Sequence, residues 1–184
     1  MTKPTGRCGS VGDLANVLHK YAAVALVTTV LLAPAAAAPS PIKLAVFDFE
    51  LEDTSAGASV TGEAQSDEAK LANLTNEVRQ LLANSGRYRL ISPDATAAPA
   101  RALHDCGGCE APVALKLGAE QSFVGVVRRV SRTEYTIRFQ IRDARSGALV
   151  SAGDSGLRMG ADYAWGRGAV RLIKDRLLES PSPQ

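Results

Sequence analysis

Residues 104–112 read HDCGGCEAP, two cysteines held apart by two glycines. That spacing fits three chemistries: a redox dithiol, half of a metal site, or a structural disulfide. A thioredoxin-type CxxC follows a strand and opens a helix, whose dipole lowers the pKa of one thiol. Here a short helix is expected from Pro112, but a loop precedes the motif, and Asp105 and Glu110 both oppose a thiolate. His104 is close enough in sequence to assist one. A tetrahedral zinc site needs four ligands, and beyond residue 38 the chain offers only Cys106, Cys109 and His104 as sulfur or imidazole ligands. No histidine follows the second cysteine, so the motif is not one for covalent haem. A disulfide would close a very short loop, with a chain-entropy gain of about 2 kcal/mol. The reading carried forward is a Cys106–Cys109 disulfide, with a redox-active pair as its alternative.

Carboxylates form a second candidate. Between Lys43 and Lys70 there are seven acids and no base. Glu50, Glu52 and Asp53 close an expected strand and could offer oxygens to a hard cation such as Ca²⁺. Their spacing is not that of an EF-hand, and a solvated acidic loop competes with the metal reading. Glycosidase chemistry would need an aromatic groove, which a chain with 5% aromatic residues does not supply. Bases gather elsewhere: Arg128, Arg129, Arg132, Arg138, Arg142 and Arg145 fall within eighteen residues. Arg128, Arg138 and Arg142 are the expected docking residues for an acidic partner, an anionic glycan or a lipid headgroup. A merely solvated outer face is the competing reading. No GxSxG motif is present, and no cofactor is implied. Trp165, at the start of an amphipathic segment, is expected in the core.

These residues need elements to hold them. KLAVFDFEL (43–51) reads as a buried strand. Ser66 followed by two acids reads as a helix start, with Leu71, Leu74, Val78, Leu81 and Leu82 along one face and Gly86 as its end. RYRLIS (87–92) is a second strand, parallel to the first because a helix joins them. After a loop and a short helix over 111–119, three strands follow as a meander at 122–131, 134–143 and 148–158. Tyr135, Ile137, Phe139 and Ile141 alternate with Thr136, Arg138, Gln140 and Arg142, so one face is packed and one is wet. Asp162 is the expected cap of a last helix. The fold class is therefore α/β (α+β): a β-α-β-α-β-β-β-α mixed sheet with helices on one face.

YAAVALVTTVLLAPAAAAPSP (21–41) follows Lys3, Arg7 and Lys20. A basic region, an apolar stretch and a run of alanines is the layout of a secretory signal peptide. The apolar stretch before Pro34 is shorter than the roughly 20 residues that span a bilayer. The expected organisation is a cleaved signal peptide at 1–38, one domain at 39–180 and a frayed tail at 181–184, with no transmembrane anchor in the mature form. Residues 1–38 hold three of the 21 bases and one of the 19 acids, so the mature part is neutral. Nucleic acid is therefore not an expected partner. Export to the periplasm or beyond suits a disulfide.

The segments LAVFDFELED, SGRYRLISP and CGGCEAPVALKLGAEQSFVGVVRRVSRTEYTIRFQIRDARSGALV, with a Trp-x-Arg-Gly near the end, resemble a secreted proteobacterial family known as Domain of Unknown Function 2380, also catalogued as 3280. The resemblance spans about residues 43–177 and implies secretion and an α/β fold, not an activity. More distantly, the opening strand, helix and GRYRLI strand look like the N-terminal domains of TolB-like and CsgG-like envelope proteins. The function expected is a non-enzymatic periplasmic interaction or assembly module, its partner an envelope protein or a second copy. The alternatives are a thiol–disulfide oxidoreductase on Cys106 and Cys109, and a metal or small-ligand binder using the acidic loop.

Overall fold

The run KLAVFDFEL, expected to form one strand, forms two in the computed structural model. It describes residues 40–56, 64–93, 102–160 and 164–179, with the side chains of 64 and 65 left aside. The expected signal peptide, the Asp162 cap and the tail at 181–184 lie outside the described residues. Strand β1 (Ile42–Val46) and strand β2 (Glu50–Asp53) run one after the other along the same neighbour, β4 (Gln121–Ser131). The break between them has specific causes. The Phe49 amide donates to Thr75 Oγ1 at 2.9 Å, and Arg79 donates to the Val46 carbonyl at 2.9 Å, so backbone groups that a continuous ladder would use are satisfied by a helix. The Phe49 ring then lies over Gly125, where even a β-carbon would collide with it.

Helix α1 (Ala64–Asn84) follows, with Leu74, Val78 and Leu82 buried as the leucine spacing predicts. It starts two residues before Ser66, and Gly86, at φ 67°, lies just past its end. Strand β3 (Tyr88–Ile91) lies parallel to β1 on its other side, as the intervening helix requires. A single tight turn (Leu103–Asp105) leads through the CxxC to helix α2 (Glu110–Lys116). Pro112 sits in its first turn, where a missing N–H costs nothing, and Gly118 follows its end at φ 78°.

The meander forms as expected, with β5 (Glu134–Asp143) antiparallel to β4. The stretch read as a third long strand divides into β6 (Leu149–Asp154) and β7 (Arg158–Met159), both antiparallel to β5. Between them the Ser155 hydroxyl accepts from the Ile137 amide at 2.9 Å, taking over one ladder bond where the chain turns aside. Helix α3 (Trp165–Ile173) continues into a wide turn (Lys174–Leu178).

The result is a seven-stranded mixed sheet in the order β3-β1-β4-β5-β6, with β2 beside β4 and β7 beside β5. Alternate residues sort the core into two layers. Leu44, Val46, Phe123, Val127, Tyr135, Ile137, Phe139 and Ile141 pack with α1 and α3, including the buried Trp165. Ala45, Phe47 and Val124 pack with Leu103, Ala114, Ala119 and Ala144. Helix α2 and its turn thus occupy the opposite face from the two longer helices, a placement that differs from helices on one face alone. Helix α2 meets that face through small buried residues, Ala111 and Ala114.

Candidate functional site

Helix α2 and the turn before it cover only part of their face. The uncovered remainder is an open groove of about 430 Å³. Val124 and Val126 of β4 line it, with Arg138 and Gln140 of β5 and Leu149, Ala152 and Asp154 of β6. These are the residues that strand alternation turns away from α1 and α3. His104 forms its end wall.

Glu50 positions that wall. Its carboxylate accepts the backbone amides of Leu103 at 2.7 Å and His104 at 2.9 Å, and it also meets His104 Nδ1. The other ring nitrogen lies 3.4 Å from Asp105 Oδ2. Both nitrogens of His104 therefore face carboxylates. The disulfide Cys106–Cys109 closes the same turn, with Cα atoms 5.6 Å apart. Its two glycines are required by the backbone: Gly107 has φ 67° and Gly108 has φ 115°, where residues with a β-carbon are strained.

Glu110, at 0% exposure, lies beneath this loop. Its Oε1 is 3.2 Å from Arg142 Nε, a charge pair without the alignment of a hydrogen bond. Arg142 donates to the Gly147 carbonyl at 3.0 Å, and its side chain passes under Gly108. Arg142 thus ties the disulfide loop to β5. Of the three arginines expected at a docking face, Arg138 lines the groove, Arg128 pairs with Glu52 at 2.7 Å beside it, and Arg142 is engaged beneath the loop. Arg138 is held only loosely, its nearest carboxylate, that of Glu52, being 3.8 Å away.

The expected cation ligands Glu50, Glu52 and Asp53 do not converge. Glu50 holds the His104 turn, Glu52 takes Arg128 and Arg138, and Asp53 pairs with Arg129 at 2.8 Å. Strand alternation sends Asp53 to the other side of the sheet, where Arg129 also meets Asp67 at 2.7 Å and lies 5.2 Å from the centre of the Trp165 ring. Burial opposes ionisation of Asp53, but hydrogen bonds from the Ser55 hydroxyl and amide, with Arg129, outweigh it and hold the carboxyl below its usual range. Cys106, Cys109 and Glu110 bring their ligand atoms within 4.8 Å of one another, but the two sulfurs are spent on each other. Sequence reasoning missed the groove and His104's place in its wall. The polar alternation of β5 signalled its floor, but nothing local signalled which face of the sheet α2 would cover or how much of it.

Residues 42–177 match the model of a family described as a protein of unknown function, DUF2380. No curated protein matches the chain. Among solved structures, the chain is similar to the LpoB C-terminal domain from Salmonella enterica at 14% identity and a TM-score of 0.45, over 67% of this chain and 87% of that one. It is similar to PelC from Paraburkholderia phytofirmans, a dodecamer, at 18% identity and a TM-score of 0.44, over 80% and 93%. Similarity to TolB from Acinetobacter baumannii stands at 14% identity and a TM-score of 0.35, over 71% of this chain and 26% of TolB. Among the described residues no helix is long and apolar enough to cross a membrane.

Proposed function

The chain belongs to the DUF3280 family, described as a protein of unknown function (DUF2380), and we propose that it is a periplasmic interaction module that docks an acidic partner. The observation that carries this reading is the groove: buried Val124 and Val126 close its floor, exposed Leu149 lines its side, and a loosely held guanidinium, Arg138, stands at its rim. Such a surface accepts an apolar side chain and a neighbouring carboxylate from one partner chain. The groups that could have done chemistry have internal roles instead. The thiols are joined, Glu50 and Asp105 flank His104, and Glu52 and Asp53 hold arginines. Export through the expected signal peptide supplies the oxidising compartment that a disulfide needs.

Capture from envelope extracts tests it. Wild-type protein is expected to retain an acidic envelope protein that the Arg138→Glu variant loses at equal folded concentration. An unchanged set of captured proteins would count against the groove. Rapid reduction of insulin by the purified protein, abolished in Cys106→Ser/Cys109→Ser, would replace this reading with the oxidoreductase one.

A further inference from the structure

Strand β6 ends the sheet, and its outer side has no neighbouring strand among the described residues. An open edge is a template for another strand, and proteins usually blunt it with lysine, proline or a short length. This edge carries none of these. It is six residues long, Leu-Val-Ser-Ala-Gly-Asp, with a charge only at its end. Apolar side chains line it: Leu149 is 55% exposed, Val150 47%, Leu157 60% and, on β7, Met159 73%. These four are most of the six large apolar side chains exposed among the described residues, and they follow one edge rather than scatter over the surface.

We propose that β6 pairs antiparallel with β6 of a second copy of this chain, forming a two-fold dimer with one continuous sheet. Charge selects this occupant and this direction. The turn into β6 bears exposed Arg145, and β6 ends on exposed Asp154. Antiparallel self-pairing brings the Arg145 end of each copy to the Asp154 end of the other, twice per dimer. Parallel pairing would set like charges together. The small residues Ser151, Ala152 and Gly153 at the strand's middle let the backbones meet without side-chain conflict. A two-fold axis perpendicular to the sheet leaves both grooves on the same side, so the dimer would present two Arg138 sites to one partner. The inference concerns the edge and does not depend on what fills the groove.

Sedimentation of the exported protein, purified in its mature form, over a range of concentrations tests this. A monomer–dimer equilibrium is expected. Val150→Lys, which adds the missing edge charge, should weaken it by about tenfold or more while far-UV circular dichroism is unchanged. Arg145→Asp and Asp154→Lys should each weaken the dimer, and the two combined should restore it. Arg138→Glu should leave it intact, which separates failure of the groove from failure of the edge. A monomer at every concentration, species larger than a dimer, a dimer indifferent to Val150→Lys, or a charge exchange that does not recover it would each overturn the proposal.

Discussion

Asp67 shows how a residue's role depends on what reaches it. In the sequence it is an acid near a helix start, placed to meet the helix dipole. In the fold it is buried, and it shares Arg129 with Asp53. Hydrogen bonds and the arginine keep the Asp53 carboxyl below its usual range, so Asp53 stabilises the fold above its unfolded pKa of about 4 and loses that contribution as pH falls through its lower folded value. Urea midpoints measured against pH should therefore decline below about pH 4, and Asp53→Asn should flatten that decline. An identical acid slope in the variant would contradict the assignment. Arg142 is the second case. Its removal strands the Glu110 carboxylate under the disulfide loop, so Arg142→Ala is expected to cost about 2–4 kcal/mol in chemical denaturation. Glu110→Gln in the same background should recover part of that loss; a cost below that of an ordinary surface change would show that Arg142 is only a solvated side chain.

At the scale of elements, the parts set by local pattern were legible. The alternation from Tyr135 to Ile141 and the leucine spacing of α1 appear as expected, because a strand or helix with one apolar face has few other options. The break after Val46 was not legible, since it depends on Thr75, Arg79 and Gly125, which are distant in sequence. The same distance hid the groove, which is the part of that sheet face left uncovered by α2 and its turn. The segregation of acids from arginines was legible but misleading: β2 lies beside β4, so Glu52 and Asp53 face Arg128 and Arg129 across one register. The disulfide is an element-scale device, since it shapes the turn that carries His104. Replacing both cysteines by serine should lower stability by about 1–3 kcal/mol on the loop-entropy estimate, measured by urea unfolding. Intact mass should show the native protein two hydrogens lighter than its reduced form. A full-mass native species would sink the disulfide.

At the scale of the whole molecule, the proposed docking of an acidic envelope partner on the half-open sheet face presupposes that the domain is exported. Export itself predicts a mature N-terminus near Ala38–Pro41, checked by sequencing the exported protein; an intact Met1 on a membrane-embedded product would contradict it. Photo-crosslinking in the envelope from two positions tests the docking groove directly. A photoreactive residue replaces Gln140 on the groove floor in one protein, and Glu68 on the exposed side of α1 in the other. A docking groove predicts a discrete adduct with an envelope protein from position 140 and none from position 68. No adduct at 140, or equal labelling from both positions, would contradict a docking groove.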